Sequence, residues 1–100
     1  MSGLIVSVSH QLSQDGALRR IQTAVDQAKT RYADKIDDLS QSWNGYTGTF
    51  KVSGMGQKTA GTVAVNPSDV TVQITLPFAA SLFKSKIKSG IQRELTRILA

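Results

Sequence analysis

One hundred residues, 40% hydrophobic and 19% charged, make one ordinary globular domain. The absence of cysteine excludes disulfides, thiolate metal sites and cysteine nucleophiles, and a single histidine excludes a histidine-rich metal centre. The net charge of +5 invites an acidic partner, and the longest early apolar run, Leu4-Ile5-Val6, is neither a signal peptide nor a membrane span, so the expected compartment is the cytoplasm.

Residues 4–9 alternate, with Leu4, Val6 and Val8 on one face of a short strand. Ser13 is a good N-cap and Asp15 suits a first helical turn. Leu18, Ile21, Val25, Ala28 and Tyr32 then recur at steps of three and four, widened by Ala17 and Ala24, which predicts an amphipathic helix over 14–33. Residues 34–38 read as a loop. Leu39, Gln41 and Trp43 alternate up to the turn dipeptide Asn44-Gly45, and Phe50 and Val52 continue in a second hairpin strand. Gly54-Met55-Gly56-Gln57 and Asn66-Pro67-Ser68-Asp69 are further turns, flanking a strand with Val63 and Val65. Val70, Val72, Ile74 and Leu76 form the cleanest strand. After Pro77 a second helix is predicted over 78–99, its stripe running through Leu82, Phe83, Ile87, Ile91, Leu95, Ile98 and Leu99. Gly90, beside that stripe, is expected to permit a close helix–strand contact. The order β-α-β-β-β-β-α predicts a single α+β domain over 1–100, a two-layer sandwich with an antiparallel sheet and two helices on one face. The two stripes are expected to fill one core, so that a lipid-like ligand between sheet and helices, though allowed by the layers, has no sequence feature to motivate it.

The opposite sheet face then carries Ser7, Ser9, Ser40, Ser42, Thr49, Lys51, Ser53, Thr62, Ala64, Thr71, Gln73 and Thr75, of which only Lys51 is charged. A solvated face accounts for this pattern, and the sharper expectation is a homodimer contact, because uncharged faces are poorly defended against association. The charge is uneven. Residues 1–83 carry a net +1, whereas residues 84–100 carry Lys84, Lys86, Lys88, Arg93 and Arg97 against Glu94, a net +4. A basic amphipathic helix is expected to be solvated or to meet phosphate or an anionic surface.

Catalytic signals are weak. His10 has Ser7, Ser9, Ser13 and Asp15 near it in sequence, but no nucleophile-elbow sequence surrounds any serine. The expected role of His10 is to anchor the strand-to-helix junction, and a small enzyme centred on it is the alternative. Asp34, Asp37 and Asp38 lack EF-hand spacing, and Gly54-Met55-Gly56-Gln57-Lys58 fails the phosphate-loop spacing. No cofactor is expected.

Two resemblances bear on function. A strand meander followed by Lys84-Ser85-Lys86-Ile87-Lys88 resembles the double-stranded RNA-binding domain, which implies lysines on phosphate. That family's Gly-Pro-x-His loop is absent, so nucleic acid is the less favoured partner. Over about 90 residues the opening strand ending in His10, the 17–32 helix, the Trp43-turn-Phe50 hairpin, the 61–76 strand pair and the basic closing helix resemble the bacterial polyhydroxyalkanoic acid system proteins. The resemblance implies a non-enzymatic interaction protein, associated with a storage-granule surface or a granule protein, with no catalytic residue to carry over.

Overall fold

A computed structural model of the chain describes residues 2–54 and 56–100. It contains β1 (Ser2–Ser9), α1 (Gln14–Arg31), β2 (Asp38–Asn44), β3 (Thr47–Gly54), β4 (Gln57–Val65), β5 (Asp69–Leu76), a one-turn α2 (Phe78–Ser81) and α3 (Lys84–Ile98). The strands form one antiparallel sheet in the order β1-β5-β4-β3-β2. This is the α+β sandwich expected from the sequence. The meander β2–β5 is built from adjacent hairpins, and β1 joins it beside β5. α1 carries the chain from one edge of the sheet to the other.

Local chemistry explains the elements. Ser13 caps α1 by accepting the Gly16 N–H at 3.0 Å. Asp15 in the first turn and Lys29 and Arg31 in the last complement the helix dipole. The β2–β3 turn falls on Gly45 and Tyr46, because Asn44 pairs with Thr47. Gly45 has φ 62°, a left-handed conformation that glycine adopts without a Cβ penalty. The turn expected at Asn44-Gly45 is therefore displaced by one residue. Of the next expected turn, Met55 lies outside the described residues, and Gly54 pairs with Gln57.

Register places the apolar side chains on one face. Leu4 lies beside Ile74, Val6 beside Val72 and Val8 beside Val70. Leu4, Val6, Val65, Val70, Val72 and Leu76 are buried there, with Ala17 and Ile21 from α1 and Leu95 and Leu99 from α3 and its C-cap. α3 packs chiefly across β1, and α1 meets α3 and β4. Two rows of this face are interrupted by glycine. A Cβ on Gly61 would lie 2.5 Å from the Gln73 carbonyl oxygen and 2.8 Å from the Phe50 ring. A Cβ on Gly48 would lie 2.8 Å from the Trp43 ring. The aromatic rings of β3 and β2 thus lie over hollows in the neighbouring strands.

The second predicted helix is divided. α2 ends at Ser81, and α3 starts at Lys84 after Phe83, whose φ of −111° and ψ of 24° are not helical. Phe83 offers no side-chain cap to the first N–H groups of α3. Leu82 and Phe83 are not part of the buried stripe: they are 75% and 61% exposed. Periodicity explains Leu82, which precedes Ile87 by five residues, about 140° around a helix of 3.6 residues per turn. Gly90 makes no close contact either, since nothing lies within 4 Å of where its Cβ would sit.

His10 ties β1 to the β4–β5 turn. Its backbone N–H donates to the Ser68 carbonyl at 2.8 Å. Its ring is buried, Nδ1 accepting the Leu12 N–H at 3.1 Å and Nε2 facing the Asn66 carbonyl at 3.0 Å. An N–H can only donate and a carbonyl only accept, so the ring proton resides on Nε2. Asn66 and Asp69 close the turn beneath it with a side-chain hydrogen bond of 2.6 Å.

Two outcomes test this packing. Gly61→Ala should lower the urea-unfolding free energy by about 1–3 kcal/mol, as overpacking does where a carbonyl must move; an unchanged midpoint would contradict the close approach. His10→Ala should cost about 1–3 kcal/mol by leaving a buried donor and a carbonyl unpaired, measured in the same assay.

Candidate functional site

Helical geometry separates the five basic residues of the last helix. At about 100° per residue, Lys86, Arg93 and Arg97 fall together on the outward side of α3. Lys84 and Lys88 fall on the opposite side, within about 60° of Ile91 and Leu95, but are still exposed. Arg97 is occupied: its Nη2 and Nε donate to Glu94 Oε2 at 2.7 and 3.1 Å. Hydrogen bonding to Arg97 and its charge, with smaller contributions from Arg31 and Arg93, hold the Glu94 carboxyl below its ordinary range. The five cations therefore do not make one stripe. Lys84, Lys86 and Lys88, all exposed, follow the exposed pair Leu82 and Phe83 in sequence, over the first turn and a half of α3, at the corner where α2 gives way to it. Sequence reading named the lysines but assigned the two apolar residues beside them to the core.

The layers do not close completely. A cavity of about 330 Å³ lies between α1, the C-terminal half of α3 and the sheet. This overturns the expectation that the helix stripes fill the interlayer space. Val63, Val72 and Ile74 contribute to its floor, and Leu39, Phe50 and Val52 to its outer wall on β2 and β3. Its physical origin is twofold. Neither helix packs extensively on β2 or β3, and between Ile21 and Arg31 two of the α1 side chains lining the gap are the short Ala24 and Ala28. Polar groups occur at the rim, where Gln27, Arg31 and Tyr32 of α1 and its C-cap meet Glu94 and Arg97 of α3. A polar link fastens the open side: Trp43 Nε1 donates to Gln41 Oε1, and Gln41 Nε2 donates to Asp26 Oδ1, each at 2.8 Å. At the closed side, Arg20 donates to the Ile98 and Ala100 carbonyls at the end of α3.

The serine, histidine and aspartate that lie near one another in sequence are partnered separately. His10 is engaged at both ring nitrogens by backbone. Ser13 caps α1, and the Ser7 hydroxyl lies 3.2 Å from that of Thr71. Asp15 accepts from the Tyr46 hydroxyl, a hydrogen bond that, with burial and the Asp15 charge, raises the phenol above its ordinary range. Asp34, Asp37 and Asp38 are all exposed, and no group of three potential metal ligands occurs among the described residues. No helix among the described residues is long and apolar enough to cross a membrane. The outer sheet face carries the Ser/Thr rows expected for it, together with Ile5, which is 58% exposed.

Comparison with known proteins gives one family. No curated protein matches the chain. Among solved structures, the crystal structure of TTHA0849 from Thermus thermophilus superposes with a TM-score of 0.46 at 12% identity, covering 98% of this chain and 94% of that one. The family model described as "Putative polyhydroxyalkanoic acid system protein" matches residues 4–99, nearly the whole domain from the first buried residue of β1 to the C-cap of α3. The chain belongs to this polyhydroxyalkanoic acid system protein family.

Proposed function

We propose that the protein is a peripheral, non-catalytic component of the polyhydroxyalkanoate storage system, docking on an anionic, apolar granule surface through the corner between α2 and α3. One observation carries this reading. Leu82 and Phe83 are 75% and 61% exposed, and Lys84, Lys86 and Lys88 follow them directly, all exposed. Exposed large apolar side chains cost free energy in water and regain it on entering an apolar layer. Lysines around them meet the anionic groups that coat such a layer, which is how interfacial segments divide the work between insertion and charge. The corner suits that geometry because the break before the uncapped start of α3 leaves both residues uncovered by either helix. Arg93 adds a further cation on the outward face, whereas Arg97 is already paired to Glu94.

The test is co-sedimentation with isolated polyhydroxyalkanoate granules and with phosphatidylglycerol vesicles. Lys84→Glu, Lys86→Glu and Lys88→Glu combined should lower the bound fraction about tenfold or more at low salt. Leu82→Ser with Phe83→Ser should lower it at every salt concentration, because insertion is not screened. Unchanged granule binding by both variants would overturn the docking corner. Tight duplex RNA binding with a steep salt dependence, in place of granule binding, would transfer the lysines to a nucleic-acid role.

A further inference from the structure

We propose that the cavity between the helices and the sheet is a binding site for a linear amphipathic carboxylate, its aliphatic chain lying between the layers and its carboxylate held at the rim by Arg31 and Tyr32. The proposal goes beyond the docking corner and does not rest on it. The site is at the far end of α3 from its three lysines: Lys84 and Arg97 are separated by about 20 Å along the helix at 1.5 Å per residue.

Size and lining set the tail. A cavity of about 330 Å³ falls at the lower end of small-molecule sites. Counting a methylene at about the volume of a liquid water, roughly 30 Å³, there is room for roughly ten chain carbons. The walls are aliphatic or aromatic from Leu39, Phe50 and Val52 on one side to Ile21, Ile91 and Leu95 on the other. Walls of this kind do not hold water well, and apolar cavities of smaller size bind apolar guests. Several of these side chains are only half-buried, so an occupant gains from covering them.

The rim sets the head group. Arg31 makes no direct ion pair among the described residues, its charge acting on Glu94 only at longer range, and the Tyr32 hydroxyl makes no hydrogen bond among them; both are exposed and both line the opening. Gln27 adds a further amide donor. The rim carboxylate, Glu94, is engaged by Arg97. The unmatched charge at the opening is therefore positive and the free groups are chiefly donors. A guanidinium and a phenol hydroxyl together present a planar fork and a single donor, which suits a carboxylate. A neutral alkyl chain would occupy the cavity without using either group.

The experiment titrates the isotope-labelled protein with decanoate below its micellar concentration and follows methyl and backbone resonances. Decanol serves as the neutral arm and acetate as the tail-less arm. The expected result is saturable one-to-one binding of decanoate, with shifts at Val63, Val72, Leu39 and Phe50, weaker binding of decanol and none of acetate. Arg31→Ala, at an exposed site that leaves the fold intact, should weaken decanoate at least fivefold and leave decanol unchanged. Ala24→Leu with Ala28→Leu should abolish both while the melting temperature holds or rises, because added methylenes fill the void. Absence of saturable shifts at the cavity residues overturns the proposal. So do shifts confined to Leu82 and Phe83, and so does an Arg31→Ala variant that binds decanoate as the parent does.

Discussion

Five strands at about 4.8 Å spacing separate the edge-strand axes by about 19 Å, and two helices packed 8–10 Å apart do not cover that width unless they are centred on it. Here they are off-centre. α3 rests on β1, the edge strand, and α1 is drawn toward α3 and β4. Leu95 and Leu99 are buried with Leu4 and Val6, Ile21 and Ala17 complete the same core, and β2 with β3 projects beyond it. The interlayer cavity follows from this displacement. So does the reliance of the open side on a polar link, since Asp26 and Gln41 hold β2 to α1 where apolar packing is thin.

Much of the fold is legible in the sequence because alternation and the 3.6-residue period report directly which side chains face inward. Val70, Val72 and Leu76 of β5 and Leu4 and Val6 of β1 are buried as their alternation requires. The extent of β4 is less legible. Its first half, Gln57 to Gly61, contains no large apolar residue, because the space above Gly61 is filled by the Phe50 ring from the neighbouring strand. A glycine that is packed by a partner's side chain leaves no hydrophobic trace at its own position. The same holds for Gly48 under Trp43.

The candidate sites were legible only in part, for a related reason. Composition located the lysines on the last helix, since charge is a property of single residues. The roles of Leu82 and Phe83 depend on phase and on the end of α2, and apolar identity alone assigns them to a core. The cavity depends on how far each helix reaches over the sheet. Periodicity specifies the direction of a stripe, not the width of the surface it must cover, so Ala24 and Ala28 read as stripe members although they border a void. Arg31 carries no sequence signal beyond its place at the end of α1, and Tyr32 reads as the last member of that helix's apolar stripe although it is exposed.

The pairing of β1 with β5, beneath α3, also sets the order in which this chain is assembled. Ser2 is matched to Leu76 and Ser9 to Asp69, contacts that span most of the polypeptide, whereas β2 through β5 are joined by neighbouring hairpins. Local pairings form before the entropy of closing so long a loop is recovered. During synthesis the first strand therefore waits, its valines unpaired, until β5 has emerged and α3 follows to cover it. Residues far apart in the sequence thus share one late cooperative step, and the interval before that step is when the nascent chain is most exposed to association with its own kind.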